Sequence, residues 1–188
     1  MYPKHLRYLF IALIVTPLFF ACKKDNVNPP GSGNSDYYVK FSLDGTQMSF
    51  LLIAEGNMNV VDASGKNTFT GGGLKSTAST SSNIAAMIVS SVPQIRTGIT
   101  YVNYATSTAG FERAAYSTVS FTDPSGVTFV SWGDENKSFG VISDTKIAFS
   151  EITTTNLRGT FSGTIYKSLS GTSEKHIMAA GEFNLKRR

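Results

Sequence analysis

From Tyr37 to the C-terminus, apolar residues recur with a period of two rather than 3.6, and this pattern limits the possible folds more than any other feature. Tyr37, Val39, Phe41 and Leu43, for example, alternate with residues that are mostly polar. A period of two places alternate side chains on opposite faces of a β-strand. No long amphipathic helical pattern competes with it, so the region is predicted to be all-β.

Turn signals divide this region into short strands. Asp44-Gly45 is typical of a tight hairpin turn, and Asp123-Pro124-Ser125-Gly126 is typical of a type I turn. We expect loops at 75–83 and 105–113. The predicted strands cover residues 37–43, 46–53, 59–63, 68–74, 84–92, 98–104, 115–121, 127–132, 145–153, 157–167 and 176–185.

Several short strands with turns between them indicate an antiparallel β-sandwich, or alternatively a small closed or partly open, lipocalin-like barrel. Within 157–167, Leu157, Phe161 and Ile165 share one face with Gly159 and Gly163, which leaves room for a bulky neighbour. The last strand is expected to bury one face that contains Ile177, Ala179, Gly181, Phe183 and Leu185.

Residues 1–21 have the three parts of a secretory signal peptide. Lys4 and Arg7 lie in a basic start without acidic residues, residues 9–20 are mostly apolar, and Ala21 is small. The apolar run has about a dozen residues, whereas a membrane-spanning helix needs about 20. We therefore predict cleavage between Ala21 and Cys22.

The end of this segment resembles a bacterial lipobox, in which the cysteine after the cleavage site is lipidated. Cys22 is the single cysteine of the chain, and it occupies the position that this chemistry requires. The alternative is an ordinary secretory signal with an incidental cysteine. A diacylglyceryl thioether with a further acyl chain such as palmitate would anchor the protein stably, because each buried methylene contributes about 0.8 kcal/mol.

Residues 22–36 are predicted to be the lipidated cysteine and a flexible tether, followed by a single all-β domain at 37–188. The tether is rich in Pro, Gly, Asn and Ser and has one large apolar side chain, Val27. As a coil it would reach roughly 20 Å. Lys23-Lys24-Asp25 resembles the export signal of Bacteroidota surface lipoproteins, which favours the outer membrane, on its periplasmic or surface-exposed face.

Three segments resemble the recurring strands of an uncharacterised family of Bacteroidota lipoproteins. They are 97–101 (TGITY), 157–166 (LRGTFSGTIY) and 181–185 (GEFNL). The resemblance implies a lipobox followed by one all-β domain, and a location in the cell envelope. It implies no catalytic residues, because the shared segments are strand patterns.

Composition argues against nucleic acid as a partner and excludes an intramolecular disulfide. The chain has 17 basic and 13 acidic residues, and the basic count falls to 15 once Lys4 and Arg7 leave with the signal peptide. The remaining excess of basic residues lies mostly at 23–24 and 186–188. The sequence has no basic stripe with interleaved aromatic residues, which is the pattern that would indicate nucleic-acid binding. Without a second cysteine, no intramolecular disulfide can form.

No metal ion and no cofactor are predicted. His176 is the single histidine after the signal peptide, whereas a zinc site needs several His or Cys ligands. Asp134, Asn136 and Ser138 alternate as in a calcium loop, but Thr145 stands where that loop has a bidentate Glu. A weak surface calcium site and a plain polar loop are the alternatives, and we favour the loop.

One group of residues could form a ligand patch. Trp132 is the single tryptophan and lies beside Asp134 and Asn136, an arrangement of aromatic and polar groups that is common in sugar sites. Tyr101 and Tyr104 would join this patch if the fold brings them near. The alternative is a tryptophan of the rim or the core. No catalytic residue is predicted.

These observations predict a non-enzymatic, membrane-anchored envelope lipoprotein that binds or assembles with other envelope proteins or glycans. An exposed apolar or aromatic patch would favour this function. The alternatives are a lipocalin-like carrier of a small apolar ligand, with a dry internal cavity, and a carboxylate-based envelope hydrolase. The hydrolase would need an acidic pair about 5–10 Å apart in a cleft.

Overall fold

The computed structural model describes residues 36–61, 65–75, 84–103, 109–131, 144–167 and 174–188. All of them belong to one compact unit. The predictions on the signal peptide, on Ala21 and Cys22 and on the tether concern residues 1–36, of which only Asp36 is described. The described residues contain no candidate for a membrane-spanning helix.

The described residues form strands and no helix, which confirms the all-β prediction. In chain order the strands are β1 (Tyr38–Leu43), β2 (Thr46–Phe50), β3 (Leu52–Val61), β4 (Asn67–Leu74), β5 (Ile84–Val92), β6 (Thr100–Val102), β7 (Phe111–Arg113), β8 (Tyr116–Thr122), β9 (Thr128–Val130), β10 (Lys146–Ile152), β11 (Asn156–Lys167) and β12 (Lys175–Arg187).

The long antiparallel hairpin of β11 and β12 lies at the centre of the architecture. The outer edge of β12 pairs with β1 and then, near its C-terminal end, with β3. The outer edge of β11 pairs with β10 and then, near its C-terminal end, with β9. Each strand of the hairpin therefore pairs with two different strands along its outer edge: β12 with β1 and β3, and β11 with β10 and β9.

Two layers result from these connections. One layer has the order β2-β1-β12-β11-β10-β6-β7, and the other has the order β3-β4-β5-β8-β9. The pairing is continuous between them where β12 meets β3 and where β11 meets β9, as in a partly open barrel flattened into a sandwich. Among the described strands, the pairing is antiparallel except for the short pairs β12–β3 and β6–β7.

Aromatic rings fill the space between the layers. Phe41 of the first layer contacts Phe121 of the second, with 6.0 Å between the ring centroids. Phe69 of the second layer contacts Phe149 of the first at 4.9 Å. All four rings are buried. Because burial of each large apolar side chain contributes about 1.5–3 kcal/mol before conformational entropy is subtracted, these contacts hold the layers together.

The predicted inward face of β11 is confirmed. Leu157, Phe161 and Ile165 are all buried. Gly159 lies opposite Phe183 of β12, and a Cβ atom at position 159 would lie 2.5 Å from the Phe183 ring. The glycine therefore makes room for a bulky neighbour, as the sequence predicts.

The predicted face of β12 is correct only in its second half. Phe183 and Leu185 are buried, but Ile177 is 59% exposed and Met178 is buried in its place. Ala180 has a φ of 48° and lies at a bulge in the pairing with β11. An extra residue on one strand reverses the alternation of the side chains beyond it, so the bulge explains the difference.

Several predicted strand boundaries are also wrong, and the strand predicted at 59–63 is only the end of β3, which begins at Leu52. The strand predicted at 46–53 ends at Phe50, and β3 begins at Leu52, because the chain bends at this point and Ile53 has a φ of 47°. The loop predicted at 105–113 contains the short strand β7, Phe111–Arg113, which pairs with β6. Three residues are too few to show a period of two in the sequence.

Both predicted turns are confirmed. The turn at Asp44 and Gly45 joins β1 to β2. In the second turn, the backbone N–H of Gly126 donates to the Asp123 carbonyl at 3.1 Å. The Asp123 carboxylate accepts from the backbone N–H groups of Ser125 at 2.8 Å and Val127 at 2.9 Å. Hydrogen bonds from the Ser125 side chain and from these backbone groups lower the pKa of Asp123.

Candidate functional site

Of the predicted ligand patch, the structure describes only Tyr101. This residue belongs to β6, and its ring is fully buried. Its hydroxyl donates to the Gln94 carbonyl at 3.0 Å and accepts from the Arg96 backbone N–H at 2.8 Å. Burial raises the pKa of Tyr101. Four further members lie outside the described residues: Tyr104, Trp132, Asp134 and Asn136.

A largely apolar surface depression lies on the outward side of β3, β4 and β5, and we call it the outer groove. Its floor contains Gly72 and Ala86, which lie opposite each other in the β4–β5 pairing. Ile53, Leu74 and Ile84 line its sides. The groove has a volume of about 440 Å³. Small residues on the floor and larger apolar residues at the sides therefore create the depression.

The sequence of β5 explains why this groove is apolar. The predicted bounds of this strand, 84–92, are confirmed. Ala85 and Met87 face the core, whereas Ile84, Ala86 and Ile88 face outward and are only partly covered. No described element covers the outward face of β5, so these apolar side chains stay partly exposed.

The apolar surface extends beyond the groove. Ile53 is 56% exposed, Ile88 is 40% exposed and Tyr116 is 55% exposed. Ile88 lies two residues from Ala86 on the same face of β5, and Tyr116 is its diagonal neighbour in β8, since Ile88 pairs with Thr118. We call the outer groove together with Ile88 and Tyr116 the apolar patch. Exposed patches of this kind mark interaction surfaces.

The backbone at Ile53 is unusual in a way that supports a binding surface. Its φ of 47° lies in the left-handed region, which β-branched residues rarely adopt. The pairing of β3 with β4 is irregular between Leu52 and Glu55, so Ile53 lies at a bulge. Residues held in such conformations concentrate at ligand sites. Here the conformation places Ile53 at the side of the outer groove.

An ion pair adds charged groups to the outer groove, which the polar residues Asn57 and Thr70 also line. The Arg188 guanidinium contacts the Glu55 carboxylate, and both residues line the groove. The hydrogen bond and the charge of Glu55 raise the pKa of Arg188. The Arg188 backbone N–H also donates to the Gly56 carbonyl at 3.0 Å, which fixes the C-terminal residue beside β3. A ligand in the groove would therefore meet one apolar side and one charged end.

His176 lies in a separate polar cluster. Its Nδ1 is 2.6 Å from Oδ2 of Asp44, and its Nε2 is 3.7 Å from Oε1 of Glu174. The edge of its ring packs against Phe129, with 4.7 Å between the centroids. The backbone N–H of Ile177 and the His176 ring lower the pKa of Asp44. Asp44 lies in the turn between β1 and β2, and His176 lies in β12. The cluster therefore fixes this turn to β12, which fits a structural role.

Three surface grooves lined by described residues each contain a single acidic residue. The outer groove contains Glu55, a smaller groove on the other layer contains Glu182, and a third groove beside β7 contains Glu112. Each of them has one carboxylate among its described lining residues. In the described part of the chain, no group of three or more His, Cys, Asp or Glu side chains is placed to hold a metal ion.

Sequence reasoning missed the outer groove. Two signals were present: the consecutive glycines 71–73, and the isoleucines at 84 and 88, which fall on the face of β5 opposite to Ala85 and Met87. The missing information was that no described element covers this face. Comparison with protein-family models, with curated proteins and with solved structures gave no match to this chain.

Proposed function

We propose that this chain is a lipid-anchored envelope protein whose β domain binds or assembles with other envelope components. In this proposal, residues 1–21 direct export, Cys22 carries the lipid, and residues 23–36 hold the domain away from the bilayer of the outer membrane. The basis for the anchor is the sequence, in which the single cysteine follows a short apolar run and a small residue.

The observation that carries the binding function is the apolar patch. Ile53, Ile88 and Tyr116 are each at least 40% exposed on one layer, around a groove with apolar sides. Leaving these side chains in water lowers the solubility and contributes nothing to the core, whereas a partner that covers them would gain about 25 cal/mol per Å² of apolar surface. This favours a binding surface for an envelope protein.

The structure gives less support to the two alternative functions. A carrier of an apolar ligand needs an internal cavity, but packed rings such as Phe41, Phe69 and Phe149 occupy the space between the layers. A hydrolase with two carboxylates needs an acidic pair in a cleft. Each of the three grooves described above has one carboxylate among its described lining residues, and Asp44 and Glu174, which flank His176, line none of them.

Site-specific photo-cross-linking in the native envelope tests the binding function. A photoreactive residue at Ile88 lies within the apolar patch, and one at Arg158, on the outward face of β11, is the matched control. We expect a discrete adduct of defined mass from position 88 and none from position 158. Equal labelling at both positions, or no adduct at position 88, would contradict the proposal.

A further inference from the structure

We propose that β2 is the site at which two copies of this chain associate, by pairing their β2 strands antiparallel. β2 lies at one end of the strand order and, among the described strands, pairs with β1 alone. A strand with a free edge presents unpaired backbone N–H and C=O groups, which form a template for another strand. The apolar patch lies on the other layer, so this inference does not depend on the proposed function.

The lack of protection at this edge is the first argument. Natural proteins protect open edges with very short strands, charged side chains, proline or bulges. The five residues of β2, TQMSF, include no charged residue and no proline, and they pair with β1 without a bulge. By contrast, β7 at the opposite end of the strand order has only three residues, two of which are Glu112 and Arg113. The edge of β2 is therefore suited to pairing with another strand.

The hairpin of β1 and β2 determines which backbone groups are available. A two-residue turn joins the strands, so the residues that flank it form a hydrogen-bonded pair, and such pairs recur at every second residue. Thr46, Met48 and Phe50 therefore direct their backbone N–H and C=O groups towards β1. The N–H and C=O groups of Gln47 and Ser49 point to the free edge, where a second strand can bind them.

The position of these groups fits a second copy of the same strand. Met48 is the central residue of β2, so a two-fold axis beside it brings the whole of both strands into register. Gln47 of each copy then lies opposite Ser49 of the other. Each of these pairs can exchange backbone N–H and C=O hydrogen bonds in the ordinary antiparallel pattern. The free edge is therefore complementary to itself.

The side chains of β2 also suit a two-fold axis. Such an axis brings identical side chains close together, so a charge on the strand would repel its own copy. β2 carries no charge, and Lys40 of β1, opposite Ser49, lies over the Tyr38 ring at 4.3 Å. Met48 is half-buried and packs against the core. On the axis, Met48 of one copy would cover the exposed part of Met48 of the other, which favours a second copy as the partner.

Sedimentation equilibrium of the full-length protein tests the dimer. Ser49→Pro removes a backbone N–H that points to the free edge, and proline is tolerated at such positions of edge strands. Ser49→Ala is the matched control, because it removes the same hydroxyl and keeps the N–H. We expect a monomer–dimer equilibrium whose dissociation constant rises at least tenfold with Ser49→Pro and less than twofold with Ser49→Ala. Circular dichroism of both variants verifies the fold.

Disulfide cross-linking tests the register. With the axis beside residue 48, the two Cα atoms of Met48→Cys would be about 4.5 Å apart, within the range that a disulfide spans. Thr46→Cys is the matched control, because its two Cα atoms would be about 14 Å apart along the strands. On mild oxidation we expect a linked dimer from Met48→Cys. Thr46→Cys should give only the background of the unmodified chain, whose single cysteine is Cys22.

A monomer at every protein concentration would overturn the proposal. Equal effects of Ser49→Pro and Ser49→Ala, or equal cross-linking at positions 46 and 48, would also overturn it. Ile88→Ser separates this edge from the apolar patch and should change the dissociation constant less than twofold. A larger loss from Ile88→Ser than from Ser49→Pro would assign self-association to the patch and contradict pairing through β2.

Discussion

Gly71→Ala tests how the two layers are joined. Gly71 of β4 lies opposite Gly56 of β3, and the side chain of Leu185 from β12 approaches both glycines. A Cβ atom at position 71 would lie 2.5 Å from Leu185 Cδ1 and 2.6 Å from Phe69 Cζ. Optimal carbon–carbon contacts are about 3.5–4.0 Å, so the two side chains would have to move by about 1 Å.

The magnitude follows from the packing around these residues. Leu185 and Phe69 are fully buried, so neither can move into solvent. Overpacking of this kind costs about 1–3 kcal/mol, and replacing glycine by alanine returns about 0.4–1 kcal/mol through the unfolded state. We therefore expect a net destabilisation of up to about 2.6 kcal/mol.

A double-mutant cycle with Leu185→Ala isolates the contact. Leu185→Ala alone should cost about 2–5 kcal/mol in urea unfolding, because it leaves a cavity in the core. In the double variant the new methyl group at position 71 has room. The loss of unfolding free energy in the double variant should therefore be about 1–2 kcal/mol smaller than the sum of the losses in the two single variants. Additive losses, or a stabilised Gly71→Ala variant, would refute the proposed packing at this junction.

Two further predictions follow from polar contacts. The pKa of Asp44 is lowered from 3.8 in the folded state, so its contacts with His176 and β12 should stabilise the protein above about pH 4. This contribution should disappear as the pH falls through the lowered pKa. Urea unfolding at several pH values should therefore give free energies of unfolding for Asp44→Asn and wild type that converge in acid, and a difference that stays constant would contradict this. Tyr101→Phe should destabilise the protein by about 1–3 kcal/mol, because the Gln94 carbonyl and the Arg96 backbone N–H both lose the Tyr101 hydroxyl as a hydrogen-bond partner. An unchanged midpoint of thermal unfolding would contradict this.

The period of two was a reliable guide where the strands are regular. The inward face of β11 was predicted in full, and the strand at 84–92 was predicted with its observed bounds although Ser91, near its end, has a φ of 57°. The prediction failed at positions where the backbone leaves the extended conformation. Ile53 and Ala180 have positive φ values, and each lies at an irregularity in the pairing. Neither residue type is typical of such a conformation, so it could not be predicted from the sequence.

The binding surfaces were harder to predict than the strands, for a physical reason. Local sequence determines which side chains alternate, but the order of strands determines which faces stay uncovered. Ile84 and Ile88 look like core residues in the sequence and become surface residues because no described element covers β5 on that side. Tyr101 shows the reverse: its sequence context suggested a patch, and its hydroxyl instead supports the backbone of Arg96 from within the core.

Mass spectrometry of the N-terminal peptide from the native protein tests the central claim most directly. The proposed function predicts that residues 1–21 are absent, that Cys22 is the first residue, and that its sulfur carries a diacylglyceryl group, with a further acyl chain on the amine. A free thiol at Cys22, or a chain that retains residues 1–21, would contradict the proposal of a lipid-anchored envelope protein.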